Sequence, residues 1–139
     1  GEERFYVEVE ESSLDWMSIA EKMLNYRGVI LIDTVIVREK EVGKIFRFKP
    51  NLKNLNVNSS PPYLHRFNLF EALKFLGEIS PEELPSELVI YTVGIRKPKK
   101  FTEGLTPEIK EVIPKLVKLI LKEIDRLTEM FRFSLNLQC

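Results

Sequence analysis

The sequence predicts an α/β fold, a three-layer sandwich in which a mostly parallel central sheet lies between helices on both faces. Residues 29–37 and 88–93 are apolar runs rich in β-branched side chains, and they are continuous rather than alternating. Continuous runs are typical of strands that are covered on both faces in a parallel sheet. Segments with helical spacing of apolar residues separate and follow these strands, which is the pattern of an α/β domain. The length of 139 residues predicts one domain, residues 1–139.

The first quarter of the chain predicts a strand followed by a helix. Residues 4–10 alternate polar and apolar side chains, which indicates a half-exposed strand. Ser12 or Ser13 is the predicted cap of the helix, and Gly28 is its predicted end. The apolar residues at helical spacing in this helix are Trp16, Ile19, Ala20, Met23 and Leu24.

After the strand at 29–37, the pattern predicts a shorter strand at 43–48, a long irregular stretch at 49–63 and two more helices. The first of these helices carries Leu69, Ala72, Leu73 and Leu76 and is predicted to end at Gly77. Thr106 and Pro107 are typical of the start of the last helix, and Pro114 should bend it. Its predicted buried face consists of Ile109, Val112, Ile113, Leu116, Val117, Ile120, Ile124 and Leu127.

Composition excludes several classes of function. The 21 basic residues balance the 21 acidic ones, which argues against a nucleic-acid partner. The basic residues at 96–100 indicate a solvated loop. Cys139 is the single cysteine, so a disulfide within the chain is excluded, and a reducing cytoplasm is the expected location. No apolar run reaches the roughly 18 residues of a membrane span, so no membrane insertion is expected.

Two residues stand out as candidates for chemistry. Asp33 is a carboxylate within an otherwise apolar strand, so we expect it at the strand end or paired, for example with a cation. His65 is the single histidine and lies between the irregular stretch and a helix. Oxygen and nitrogen donors of this kind bind nickel or zinc. An Asp that caps a turn and a histidine that packs or caps at the helix start are the structural alternatives.

Other common catalytic motifs are absent from the sequence. There is no Gly-x-Ser-x-Gly nucleophile turn and no Gly-x-Gly-x-x-Gly phosphate loop.

The order of these features resembles the hydrogenase maturation protease family. The resemblance rests on the strand with Asp33, on His65 before a Leu-rich helix, and on two turns, residues 93–98 (Val-Gly-Ile-Arg-Lys-Pro) and 104–108 (Gly-Leu-Thr-Pro-Glu). It covers residues 7 to about 127, and it implies a phosphorylase/hydrolase-like sheet. It also implies that Asp33 and His65 are the catalytic, nickel-contacting residues of an endopeptidase. The nickel is carried by the substrate, the large-subunit precursor of a nickel–iron hydrogenase, whose C-terminal extension is removed.

The sequence departs from the family pattern at two places. The family begins with a strand and an acidic pair that supplies a third ligand, whereas this sequence begins after that point. Residues 11–14 (Glu-Ser-Ser-Leu) replace the family's Asp-Gly-Gly-Thr, so the glycines that allow a close backbone approach are absent. The missing strand is explained by an omitted N-terminal portion, by a second chain, or by a remodelled relative. The third explanation favours a non-catalytic binding or assembly protein for a hydrogenase subunit. A protease of similar fold with an unrelated substrate is the remaining alternative.

Overall fold

The computed structural model describes residues 5–10, 15–55, 67–97 and 106–138, without the side chains of 67–68 and 134–138. It contains three α-helices and three strands within these ranges: α1 (Trp16–Met23), β1 (Gly28–Ile36), β2 (Ile45–Phe48), α2 (Phe67–Ile79), β3 (Glu87–Ile95) and α3 (Pro107–Gln138). Short 3₁₀ turns follow β1 at Glu39–Glu41 and α2 at Pro81–Glu83. The chain is therefore α/β, as the sequence predicts.

The described strands form a mixed sheet in the order β1-β3-β2. β3 is central: it pairs parallel with β1, from Gly28 opposite Glu87 to Ile36 opposite Ile95, and antiparallel with β2. Its residues 88–94 are all buried, which confirms the prediction of a strand covered on both faces. The prediction of a mostly parallel sheet holds for one of the two strand pairs described.

One face of the sheet packs on α1 and α2. The core on this side consists of Ala20, Met23, Leu69, Phe70, Ala72, Leu73, Leu88 and Ile90. The spacing of apolar residues thus predicted both helices correctly. Their ends differ from the prediction: Asp15 caps α1 by accepting a hydrogen bond from the Ser18 N–H at 2.9 Å, and α2 continues past Gly77 to Ile79. The predicted caps Ser12 and Ser13 lie outside the described residues.

The opposite face of the sheet contacts α3. The Tyr91 hydroxyl of β3 and the Arg47 Nε of β2 each donate a hydrogen bond of 2.7 Å to Glu123 of α3. At the start of β1, a Cβ on Gly28 would lie 2.9 Å from the ring of Phe131. Gly28 is therefore a packing residue at the start of β1 and does not end α1, which stops at Met23.

Two predictions about strands were wrong: that residues 4–10 form a strand, and that the strand at 29–37 is covered on both faces. Residues 5–10 form no strand with any described residue, and Tyr6 and Val9 are exposed, because no strand lies beside them to take their backbone hydrogen bonds. β1 is an edge strand with β3 as its single described neighbour, and Ile32 and Ile36 are 48% and 56% exposed. The described residues therefore do not cover β1 on both faces.

The predicted buried face of α3 is only partly buried. Val112 and Leu127 are buried as expected, together with Glu123. Ile113 and Val117 are exposed, because α3 meets the sheet along a narrower stripe than the apolar pattern suggests.

Candidate active site

Asp33 is half-buried on the edge strand β1, three residues before the strand ends. The prediction that Asp33 lies at the end of the strand is therefore wrong, because the ladder between β1 and β3 continues to Ile36. One carboxylate oxygen, Oδ1, accepts a hydrogen bond from the Thr34 N–H at 2.7 Å. Since β1 and β3 are parallel, their carboxyl ends meet at one edge of the sheet, where ligands bind in open α/β folds.

Thr92 is the residue of β3 that stands opposite Asp33 in the parallel ladder. Its side chain is completely buried, and its Oγ1 has no hydrogen-bond partner among the described residues. The sequence analysis missed this residue, because a β-branched threonine fits an apolar strand without breaking its pattern. A polar side chain within the run 88–93 was the available signal.

A groove of about 250 Å³ opens beside Asp33 on the α3 side of the sheet. It is lined by Ile32, Asp33, Thr34, Val93, Ile109, Val112, Ile113 and Leu116. Mostly apolar walls of this kind are typical of a site that takes up an organic or peptide group.

Arg96 connects three segments at this edge of the sheet. Its Nε donates hydrogen bonds of 2.9 and 2.8 Å to the two carboxylate oxygens of Glu39, and its Nη1 donates to Glu108 in the first turn of α3. The hydrogen bonds that Arg96 donates to Glu39 and then to Glu108 raise the pKa of Arg96, and the same bonds lower the pKa of both carboxyls. The end of β3 is thus tied to the 3₁₀ turn at Glu39–Glu41 and to the start of α3, and the exposed Arg96 is ion-paired with both.

Gly94 lies near the end of β3, at a position where the backbone of another segment comes so close that only glycine fits. A Cβ at this position would lie 2.5 Å from the carbonyl oxygen of Glu41. The Gly94 N–H donates to the Lys44 carbonyl, and its own carbonyl accepts from Gly43, both at 2.9 Å. The turn that leads from β1 into β2 is therefore fixed against the end of β3, next to Asp33.

His65 and Cys139 lie outside the described residues, so Asp33 is the one predicted site residue that the structure places. Within ranges 5–10, 15–55, 67–97 and 106–138, no group of three or more His, Cys, Asp or Glu side chains is arranged to hold a metal ion. No helix of the described ranges is both long and apolar enough to cross a bilayer.

Comparisons with known proteins agree with this fold. The profile of the hydrogenase maturation protease family matches residues 6–123. Among solved structures, the hydrogenase maturating endopeptidase HybD from E. coli is 18% identical, with a TM-score of 0.57 over 79% of this chain and 65% of that chain. An endopeptidase from Escherichia coli, solved in solution, is 22% identical, with a TM-score of 0.53 over 77% and 64%. The chain thus spans just under two thirds of either structure. No curated protein gave a significant match.

Proposed function

Because the chain belongs to the hydrogenase maturation protease family, we propose that it is an endopeptidase that recognises nickel in the large-subunit precursor of a nickel–iron hydrogenase. It then removes the C-terminal extension of that precursor. The observation that supports this best is the position of Asp33: a half-buried acidic residue in the carboxyl-terminal half of β1, which is parallel to β3, and one of the residues that line the groove.

In this proposal nickel belongs to the substrate, and Asp33 and His65 are the residues that contact it. A carboxylate oxygen and a neutral imidazole nitrogen are suitable ligands for a divalent ion of this kind. A bound divalent ion polarises a carbonyl group or activates a water molecule. The chain's own contribution is to hold the metal-loaded site against the groove, so that cleavage reports that nickel has been inserted. The cytoplasm is the proposed location, since the chain has a single cysteine.

The test compares nickel-loaded and nickel-free precursor, each incubated with the purified protein and analysed by intact mass. We expect the loss of the C-terminal extension from the nickel-loaded precursor alone. Asp33→Asn and His65→Ala should each slow this cleavage by at least about 10- to 100-fold, because the loss of a group that only orients a metal ligand already costs that much. Asp125→Asn, which changes an exposed carboxylate of α3, is the matched control and should cleave at the wild-type rate. Equal cleavage of both precursors, or an unchanged rate in Asp33→Asn, would contradict the proposal.

A second candidate is a non-catalytic relative that binds a hydrogenase subunit during assembly. The observation that favours it is the sequence at 11–14, which lacks the family's glycines. This candidate predicts stable, nickel-dependent binding of the precursor without any change in its mass.

The architecture that accompanies the proposed function is the three-layer sandwich. α1 and α2 on one face and α3 on the other support it. The edge of β1 that faces away from β3 is unpaired among the described strands and could accept a further strand.

A further inference from the structure

Thr92 carries a hydroxyl group that packing does not explain. The side chain is 0% exposed, and its neighbours along β3 are the buried Leu88, Ile90 and Val93. A buried hydroxyl without a partner is unfavourable, because it has given up its hydrogen bonds to water. Valine has nearly the same shape and would avoid this loss. The polar group is therefore in a position where the core alone favours an apolar residue.

The position of Thr92 relates this hydroxyl to Asp33. Leu31 and Ile90 are partners in the parallel ladder, and both pack on the α1–α2 side of the sheet. Asp33 and Thr92 are the partners two residues further along, so strand alternation places their side chains on that same side. Residues that are paired across a ladder and share a face are adjacent, so Thr92 and Asp33 are neighbours on this face, although the Thr92 hydroxyl makes no hydrogen bond to Asp33 in this structure.

We propose that Thr92 is a positioning residue for Asp33: in the working site its hydroxyl donates a hydrogen bond to the Asp33 carboxylate and orients it toward the metal ion of the substrate. A carboxylate has about four acceptor positions and accepts several hydrogen bonds at once, and one of those at Asp33 comes from the Thr34 N–H. Carboxylates that contact metals are regularly oriented by such neighbouring donors. This inference rests on the proposed function, since it concerns the residue that contacts nickel there.

The test uses three variants of the full chain. Thr92→Val removes the hydroxyl and keeps the shape, whereas Thr92→Ser keeps the hydroxyl and removes a methyl group. Ile90→Val removes a buried methyl group from the same face of β3 without touching a polar atom, and it is the control for general core damage. For each variant we would measure the thermal unfolding midpoint, the affinity for nickel-loaded and nickel-free precursor, and the rate of tail removal.

Thr92→Val should unfold at the wild-type temperature or above it, because an unpartnered buried hydroxyl has gone. The same variant should lose about 10-fold or more in nickel-dependent affinity and in cleavage rate. Thr92→Ser should keep most of both, although it unfolds at a lower temperature. Ile90→Val should also unfold at a lower temperature, with affinity and rate unchanged.

Wild-type affinity and rate in Thr92→Val would overturn the inference and leave Thr92 as a core residue. Equal losses in Thr92→Ser or in Ile90→Val would also overturn it, because packing would then be the cause. The wild-type protein separates this question from the proposed function. If it binds nickel-loaded precursor without cutting it, the endopeptidase is refuted, and the affinities of the variants still test Thr92.

Discussion

Replacing Glu123 by glutamine should destabilise the protein by about 3 kcal/mol at pH 7 and by much less at pH 3. Glu123 is 4% exposed on α3 and accepts hydrogen bonds from Tyr91 and Arg47 at 2.7 Å and from Arg126. Burial alone would raise the pKa of this carboxyl group, but the donors outweigh it and hold the pKa at about 2 instead of the ordinary 4.5. This difference between the pKa of Glu123 in the folded protein and its ordinary value corresponds to about 3 kcal/mol of folding free energy at neutral pH.

The sign of the pH dependence follows from the lowered pKa of Glu123. The folded protein keeps the carboxylate charged to lower pH than the unfolded chain does. The stabilisation is therefore complete above about pH 5, falls to about 1 kcal/mol at pH 3, and is lost as the pH passes through the folded-state pKa of about 2. Glutamine resembles the protonated side chain in shape and charge, so the variant should lack this dependence.

Urea unfolding at pH 7, 5 and 3, followed by far-UV circular dichroism, measures the difference between wild type and Glu123→Gln. Glu129→Gln on the same helix is the matched control, because Glu129 is 79% exposed and its pair with Arg132 is long, at 3.7 Å. An exposed pair of this kind contributes about 0–1 kcal/mol. A difference below about 1 kcal/mol for Glu123→Gln at pH 7, or one that stays constant down to pH 3, would refute the reasoning.

Three further changes test the fold around the site. Gly94→Ala should lower the free energy of unfolding by about 1–3 kcal/mol, because the new Cβ meets the backbone of Glu41; an unchanged urea midpoint would contradict this. Leu73→Ala, at a fully buried position between α1, α2 and the sheet, should lower it by about 2–5 kcal/mol in the same assay, and a loss below 1 kcal/mol would mean that the core is looser than described. Arg96→Met should lower the thermal midpoint only slightly, and the difference should shrink in 1 M NaCl, where the Debye length is about 3 Å; a salt-independent loss would show that the ion pairs with Glu39 and Glu108 are not its cause.

The sequence predicts those strands and helices in which the spacing of apolar residues shows which side chains are buried. The continuous apolar run at 88–93 became the buried β3, and the spacing around Ala20 and Leu73 gave α1 and α2. The segment 4–10 shows the limit of this reasoning. Alternation indicates that a segment is compatible with a strand, but a strand forms only where a neighbour takes its hydrogen bonds, and none of the described residues does so at 5–10.

The candidate site was predictable one residue at a time, but its arrangement was not. Asp33 stood out because a carboxylate in an apolar strand is unfavourable unless another group pairs with it. Thr92 did not stand out, because only the register of the folded sheet sets it opposite Asp33. The partners of Arg96, Glu39 and Glu108, lie 57 and 12 residues away in the chain and meet it only after folding, so these ion pairs could not be predicted from the sequence.

The ladder between β1 and β3 also bears on how the protein folds. Each pair of partners in this ladder, Asp33 and Thr92 included, is separated by about 60 residues of chain. The entropy of closing so long a loop must be overcome before the parallel ladder can contribute any stability, which makes such pairing intrinsically slow. The carboxyl edge of the sheet is therefore assembled in the step that buries β3, and a chain that has folded only its local helices has no site at all.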